Sequence, residues 1–550
     1  MKLYNKYLGL FLLSIGVVSC DVNNDLDPIV ESESNIELNV NGLDFSNYVS
    51  VGASFTAGFT DNALFIAAQE NSFPNILASK FSMANGGEFN QPLMNDNIGG
   101  LLLGGNVIQA PRLYFNGAGP AVLDAMPTTE ITIPVTGSMN NYGVPGAKSF
   151  HFVAQGYGNV QGVALGLANP YFARFASSAS TTVMADVMAK NPSFFTLSEI
   201  GGNDVLGYAL SGGTGVDQTG NLDPTTYGGS DITDPNVFAS VFSNMVTGLT
   251  ANGAKGVVGN VPYITSLAHF TTVPHNPLDP TDPTFGAQIP LLNSVYAAIN
   301  QVYTAAGEPE RSIVFSETAA SAMVIFDEDA TDLTTFIING LQASPTFVPF
   351  VESLGLPAQA APLVAQLLGN QYGKARVATE ADLFVLPSSS IIGTVNEDHA
   401  ANLIAQSNGL LPASLAGQFS AEGVTLPLAD KWVLTPQEQE KIKVATDAYN
   451  TTINAVASAN ENVALVDLNA VLQQAATSGI IFDEYSMNTS LVFGGLISLD
   501  GVHLTGRGYA LMANKILEAM DAEFGTNFTV ATNGLAKARN YPTNYSPAMQ

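Results

Sequence analysis

Strand-like segments alternate with helix-compatible segments in two parts of this chain. Residues 195–200, 256–262 and 462–467 are strand-like, whereas residues 236–252 and 508–523 have the helical spacing of apolar side chains. Such alternation is typical of a parallel sheet that helices cover on both faces. We therefore predict an α/β fold, a three-layer α/β/α sandwich around a mostly parallel sheet of about five strands, enlarged by large insertions.

The stretch around Ser54 predicts a strand that runs into a tight turn and then a helix. Apolar and β-branched residues lead into Gly52, small residues flank Ser54, and Thr56 lies near the helix start. Such a turn lifts a serine hydroxyl clear of the sheet, and the unpaired N–H groups of the helix start would stabilise an oxyanion beside it. Taken alone, Gly-x-Ser is more typical of a structural turn.

Asp500 and His503 lie three residues apart, just before a helix-patterned segment. On such a loop the carboxylate can accept the imidazole N–H, which fixes the tautomer and leaves the other ring nitrogen to take a proton from a serine. The alternative is an aspartate that caps a helix and a histidine on its surface.

Two further turns carry candidate hydrogen-bond donors. Asn203 follows a predicted strand within a Gly-Gly-Asn-Asp turn, where its amide can point at a developing negative charge. Gly146 lies in a turn that leads into a helix-compatible segment, and a backbone N–H there is a second candidate. His151 follows shortly afterwards, and a hydrogen-bonded or exposed histidine is a more typical interpretation of it than a second acid or base.

In this order, the four motifs resemble those of SGNH (GDSL-type) hydrolases, whose signature blocks carry Ser, Gly, Asn and Asp-x-x-His. The resemblance implies that Ser54 is the nucleophile and that His503 is the base, oriented by Asp500. It implies an oxyanion hole made by the backbone N–H groups of Ser54 and Gly146 and by the Asn203 side chain. It further implies a flavodoxin-like SGNH core that hydrolyses an ester through an acyl-enzyme, with no metal and no organic cofactor.

The chain departs from the family pattern just before the serine. The usual Gly-Asp-Ser-Leu is here Gly-Ala-Ser-Phe, so Ala53 stands where an aspartate is common. Because that aspartate belongs to neither the dyad nor the oxyanion hole, its loss bears on rate and local rigidity more than on reaction type. The spacings between the motifs are longer than in small members of the family, which implies insertions.

The first residues of the chain predict export and lipidation. Two lysines precede an apolar run, residues 8–18, that is too short to span a bilayer as a stable helix. Cys20, the only cysteine, follows Gly-Val-Val-Ser, which resembles a bacterial lipobox. We predict a lipoprotein signal peptide over residues 1–19, a lipidated Cys20 and a polar tether over residues 20–46. The protein would then be exported and lipid-anchored in the bacterial cell envelope, at the outer membrane; the alternative is ordinary secretion with a free thiol.

The length of 550 residues exceeds that of a typical single domain, so a core with large insertions is expected. We predict an SGNH hydrolase core over residues 47–264 and 435–525, followed by a C-terminal tail over residues 526–550. Residues 265–434 lose the regular alternation, and we predict that they form an insertion that caps the catalytic face. The alternative is a structural appendage at the sheet edge.

The charge balance argues against nucleic acid as a partner. Asp and Glu number 47 against 18 Lys and Arg, which leaves a net charge of −29 and no basic cluster for phosphates. The acidic cluster at residues 327–329 has the oxygen ligands that calcium prefers, although a solvated surface is its more typical role.

The predicted function is that of a serine hydrolase that cleaves carboxylic esters, as a lipase or esterase or as a carbohydrate deacetylase. Its substrate would be a lipid or an acylated glycan, and its membrane contact would run through Cys20. The alternative is a lipid-anchored surface or binding protein that keeps the fold without turnover. The intact set of Ser54, Asn203, Asp500 and His503 favours the enzyme, because a binding protein needs no such set.

Overall fold

Five parallel strands form the central sheet of the computed structural model, which describes residues 35–550. The strands of the described chain are β1 (Tyr48–Gly52), β2 (Leu101–Leu103), β3 (Asn106–Gln109), β4 (Leu113–Phe115), β5 (Pro120–Val122), β6 (Asn141–Gly143), β7 (Phe194–Ser198), β8 (Lys255–Gly259), β9 (Val324–Phe326), β10 (Ala375–Val377), β11 (Leu383–Phe384), β12 (Val433–Leu434), β13 (Val463–Val466), β14 (Ile480–Phe482) and β15 (Tyr485–Met487). The central sheet has the order β13-β8-β7-β1-β6, and the remaining strands pair two by two. The predicted α/β class and its five-stranded parallel sheet are therefore present.

The register aligns the carboxyl ends of the five central strands. Gly52 at the end of β1 pairs with Gly143 of β6 and with Ser198 of β7. Gly259 of β8 pairs in the same way with Val466 of β13. Because parallel strands present their following loops at one edge, the segments after β1, β6 and β7 meet there. These three segments hold the predicted serine, glycine and asparagine.

Two pairs of helices pack together, and one helix of each pair contacts the central sheet. The α-helices of the described residues are α1 (Ser54–Ala57), α2 (Ile66–Glu70), α3 (Phe73–Phe81), α4 (Val160–Val163), α5 (Val183–Ala189), α6 (Gly202–Leu210), α7 (Pro235–Thr250), α8 (Ala268–Thr271), α9 (Pro283–Gly286), α10 (Ile289–Ala306), α11 (Thr334–Ala343), α12 (Phe347–Ser353), α13 (Ala361–Tyr372), α14 (Glu397–Gln406), α15 (Ala413–Gln418), α16 (Pro436–Ser458), α17 (Leu468–Thr477) and α18 (Gly506–Phe524). Helix α3 packs on α18 and α7 packs on α16, while α16 and α18 both contact β8 and β13. This arrangement is compatible with the predicted three-layer sandwich.

Part of the predicted tether contributes to the hydrophobic core. The predicted signal peptide, Cys20 and the tether as far as residue 34 lie outside the described residues. Residues 38–46 belong to the compact unit that runs to Gln550. Within them Phe45 is 1% exposed, and its ring stacks on Phe81 with centroids 4.0 Å apart. Burial of this ring ties the start of the unit to α3.

Residues 273–433 contain a second hydrophobic core of their own. It gathers apolar side chains from α10, α11 and α13 and from the β9–β10 pair. Buried tyrosines connect these elements: the Tyr296 hydroxyl donates to the Val424 carbonyl at 2.6 Å, and the Tyr303 hydroxyl donates to the Tyr372 carbonyl at 2.7 Å. The predicted insertion, residues 265–434, thus has its own buried side chains between the two parts of the chain that build the sheet.

A buried arginine holds the predicted C-terminal tail, residues 526–550. Arg112 is 0% exposed, and its guanidinium donates to the carbonyl oxygens of Tyr545, Ser546 and Met549. Buried N–H groups without acceptors would be costly, so these carbonyls stabilise both the arginine and the tail. The tail therefore packs against the same unit as the sheet.

Among the described residues, no single helix is long and apolar enough to cross a membrane. Two consecutive helical segments, residues 347–353 and 358–372, are long and apolar enough when taken together, but the chain bends by 116° between them. Both segments contribute buried side chains to the second core, among them Val351 and Leu368.

The close approach of β6 to α1 predicts the effect of one substitution. A Cβ at Gly143 would lie 2.2 Å from the Ala57 backbone nitrogen, so Gly143→Ala must push the helix of Ser54 away from the sheet. We expect a loss of about 1–3 kcal/mol in the free energy of unfolding, as at other overpacked sites. Urea denaturation followed by circular dichroism measures this loss.

Gly119→Ala is the matched control, because a Cβ there meets no atom within 4 Å. Its free energy of unfolding should stay within about 0.5 kcal/mol of the wild type. Equal losses in the two variants would contradict the close packing of β6 against α1.

Candidate active site

Ser54 is the first residue of α1 and follows the end of β1 by two positions. The one-turn helix closes at Gly58, which has the left-handed φ of 83°, and the Phe59 N–H donates to the Ser54 carbonyl at 2.9 Å. Ser54 is 8% exposed and lines a cavity beyond the carboxyl end of β1. The predicted order of strand, turn and helix is present at this position.

Asp500 and His503 form a hydrogen-bonded pair. The His503 Nδ1 lies 2.9 Å from the Asp500 Oδ2, and the backbone N–H groups of Val502 and His503 both donate to Oδ1 at 2.8 Å. Asn62 adds a backbone N–H to Oδ2 at 2.8 Å. Burial opposes the charged form of Asp500, but His503 and the backbone hydrogen bonds from His503 and Val502 outweigh it and hold the pKa of the carboxyl well below its usual range.

His503 lies against the helix that carries Ser54. Its ring centroid is 4.6 Å from that of Phe59 and 5.8 Å from that of Phe55, and these two residues follow Ser54 closely in the chain. Because Asp500 occupies Nδ1, the second ring nitrogen is the one left to exchange a proton with a neighbouring hydroxyl. The structure therefore brings the predicted base next to the predicted nucleophile's helix.

Asp61 connects the loop after α1 to the loop that carries Asp500. Its Oδ1 accepts the Leu499 N–H at 3.1 Å, and its own backbone N–H donates to the Ser498 hydroxyl at 3.1 Å. Burial raises the pKa of Asp61 to about 7, against the lowering effect of the Leu499 hydrogen bond and with a further rise from Asp500. Sequence reasoning missed this residue, since no local pattern around it indicates a partner so far away.

Asn203 is the second residue of α6, which begins where the sequence predicted a turn after β7, and Gly146 lies in a turn after β6. The Asn203 side-chain N–H donates to the Ala147 carbonyl at 2.9 Å, which places the amide beside the Gly146 turn. Gly146 has the left-handed φ of 79°, is exposed, and has no atom within 4 Å of where a Cβ would stand. The Asn203 amide thus lies next to the turn that contains Gly146.

Asp204, which follows Asn203 in α6, joins this helix to the segment that follows Gly146. Its buried carboxylate accepts the Ser149 backbone N–H at 2.8 Å and the Ser149 hydroxyl at 2.6 Å. Burial raises the pKa of Asp204, and the Ser149 hydrogen bonds act against that rise. This residue was not among the predicted site residues, although it directly follows one of them.

Ser54 and Asn203 line one cavity of about 100 Å³. Its remaining wall is almost entirely apolar and comes from α6, α17, α18 and the loops around them, with the side chains of Leu206, Ile264, Leu468, Leu472 and Met512. Of the predicted insertion, residues 265–434, only Leu267 contributes to this wall. The cavity can accept an apolar group whose reactive end reaches Ser54.

His151 has a structural position. Its Nδ1 accepts the Lys148 backbone N–H at 3.0 Å, and its ring stacks on Tyr157 with centroids 4.3 Å apart. Burial, with a smaller effect of Lys148, lowers the pKa of His151 to about 4. The hydrogen-bonded interpretation of this histidine agrees with its contacts.

Within residues 35–550, no group of three or more His, Cys, Asp or Glu side chains is placed to hold a metal ion. In the acidic cluster at residues 327–329, Asp327 instead forms an ion pair with Arg376, with Nε and Oδ2 2.5 Å apart.

The raised pKa of Asp61 predicts a pH-dependent stability. Its folded pKa of about 7 lies above the unfolded value near 3.9, so the stability from this group is present below about pH 4 and is lost as the pH rises through about 7. Asp61→Asn does not ionise, and its unfolding free energy relative to wild type should rise by about 2 kcal/mol between pH 5 and 8. Urea denaturation at several pH values measures the difference.

Asp398→Asn, at an exposed position, serves as the control and should track the wild type across this range. A difference between Asp61→Asn and wild type that does not change with pH would contradict the raised pKa.

No family model, no curated protein and no solved structure matches this chain. The chemistry assigned to the site therefore depends on its residues and their geometry.

Proposed function

We propose that this protein is a serine hydrolase of carboxylic esters, of the SGNH type, with a three-layer α/β/α core. One observation carries the proposal: Ser54 and Asn203 line the same cavity, while the hydrogen-bonded pair of Asp500 and His503 lies against the helix of Ser54. Nucleophile, base, orienting acid and oxyanion donor are the groups that acyl transfer needs within one site.

In the proposed reaction, His503 takes the Ser54 hydroxyl proton as the oxygen attacks the ester carbonyl. The tetrahedral oxyanion accepts hydrogen bonds from the Ser54 and Gly146 N–H groups and from the Asn203 amide. His503 then gives its proton to the departing alcohol, which leaves an acyl-enzyme. A water molecule, deprotonated by His503, attacks the acyl group, and the carboxylic acid leaves as the proton returns to Ser54.

Asp500 supports both proton transfers by staying ionised. Burial favours the neutral form, but His503 and the hydrogen bonds from the backbone N–H groups of His503 and Val502 hold the pKa of Asp500 well below its usual range. A carboxylate at this place stabilises the imidazolium that forms in each step and holds the ring in one tautomer.

The cavity favours an acyl chain longer than acetate. Its wall is apolar on α6, α17 and α18, and each methylene that leaves water contributes about 0.8 kcal/mol. A sugar would find few hydrogen-bond partners on such a wall. We therefore favour a lipase or esterase over a carbohydrate deacetylase.

We also propose that the enzyme is exported and lipid-anchored through Cys20 in the bacterial cell envelope, at the outer membrane, with no nucleic acid partner. The signal-like run before Cys20 and the net charge of −29 support this part of the proposal.

Substitution of the nucleophile tests the proposal. On nitrophenyl esters from acetate to long acyl chains, Ser54→Ala should lower kcat/KM by about a thousandfold or more, because it removes the attacking oxygen. Ser178→Ala, at an exposed position, should keep the wild-type rate. If wild type turns over no ester, the protein is better described as a lipid-anchored binding protein.

The apolar wall predicts a change in chain-length preference. Val471 lines the cavity and lies on α17, so Val471→Phe should shorten the preferred acyl chain by filling part of the space. Gln473→Phe places the same ring on the exposed side of α17 and should leave the preference unchanged. Identical chain-length profiles for Val471→Phe and wild type would place the acyl chain elsewhere.

A further inference from the structure

A buried glutamate lies beneath the turn that carries Ser54. Glu199 directly follows β7, is 9% exposed, and its Oε1 accepts the Thr56 backbone N–H at 2.8 Å. Its Oε2 is buried and has no hydrogen-bond partner among the residues that the structure describes. No step of the proposed reaction uses this carboxyl.

The backbone conformation at Glu199 and the absence of a side chain at Gly52 leave space for the carboxyl. Glu199 has the left-handed φ of 48°, which is strained for a residue with a side chain. A Cβ at Gly52 would lie 2.1 Å from the Thr56 Oγ1 and 2.9 Å from the Glu199 Oε1, so only glycine leaves room for this contact. Both features direct the glutamate into the space next to the nucleophile turn.

The hydrogen bond joins two parts of the proposed site. Thr56 belongs to α1, which begins at Ser54, and Glu199 lies in the short loop that leads to Asn203. Through this contact the nucleophile helix is held against the loop that leads into α6, the helix of the proposed oxyanion donor. Small displacements of a reacting group lower rates strongly, by about a hundredfold for 1 Å.

We propose that Glu199 is a positioning residue, which holds the Ser54 helix against the loop that precedes Asn203 through the Thr56 N–H. This inference rests on the proposed function, because it assigns a role within the same reaction.

The surroundings of Glu199 favour its neutral form. Burial raises the pKa of Glu199 to about 7, against the lowering effects of the Thr56 backbone N–H and of the Ser198 and Thr56 hydroxyls. Glu199 lines the same cavity as Ser54 and Asn203, so its negative charge would oppose the oxyanion of the proposed reaction.

Other titratable groups approach this region from two sides. Tyr509 of α18 is buried, and Glu199 and Asp500 both raise its pKa after burial itself. Its hydroxyl donates to the Phe59 carbonyl at 2.5 Å. The Asp204 carboxylate, on α6, accepts hydrogen bonds from the Ser149 N–H and hydroxyl. Ionisation of Glu199 is expected to lower kcat as the pH rises. Because other titratable groups lie nearby, a substitution of Glu199 itself is needed to assign this decline to it.

Kinetics of Glu199→Ala and Glu199→Gln test the inference with the purified protein. Glu199→Ala should lower kcat by about 10- to 100-fold with little change in KM, because Ser54 loses its support. Glu199→Gln should restore much of this loss and should lack the decline in kcat that wild type shows as the pH rises through about 7. Thermal unfolding of both variants confirms that they are folded, and Glu70→Gln, at an exposed position, is the control.

Labelling of Ser54 with a fluorophosphonate separates this inference from the proposed function. If wild type is neither labelled nor hydrolyses an ester, the proposed function fails and the inference fails with it. If wild type is labelled and active while Glu199→Ala keeps its kcat within about twofold, only the inference fails. The inference alone also fails if Glu199→Gln and wild type share one pH profile, since a neutral acid would then have no role.

Discussion

The hydrogen-bond register between parallel strands is the constraint on which the rest of this structure depends. Gly52 pairs with both Gly143 and Ser198, so the ends of β1, β6 and β7 lie side by side. The segments that follow these strands therefore begin at the same edge of the sheet, as a loop or a helix. Ser54 and Asn203 reach one cavity for this reason.

Buried carboxyls hold this edge together, and they do so mostly through backbone N–H groups. Asp500, Asp61, Asp204 and Glu199 each accept at least one backbone N–H, and each such bond joins or shapes a loop of the site. Only 18 of 550 residues are Lys or Arg, so few cations are present to pair with buried acids. Where the surroundings favour the charged form, as at Asp500, the pKa falls; where burial dominates, as at Asp61 and Glu199, it rises.

The second core, at residues 273–433, is built separately from this edge. Its tyrosines bond to carbonyls within the same segment, and the cavity takes only Leu267 from the predicted insertion. The loss of alternation between β8 and α16 predicts an insertion, which stays a prediction. The sequence left open whether this segment covers the catalytic face or lies at the sheet edge, because no pattern along a chain indicates which surface a separate core will face.

Local signals determined what the sequence alone could predict. Strand, turn and helix around Ser54 follow from residues within one short stretch, and the Asp500–His503 bond of 2.9 Å follows from a spacing of three. Asp61 and Glu199 gave no such signal, because their partners lie 437 and 143 positions away. Only the tertiary structure decided that these carboxyls are buried and which N–H groups they accept, since burial and long-range contacts depend on how the strands pair and the helices pack.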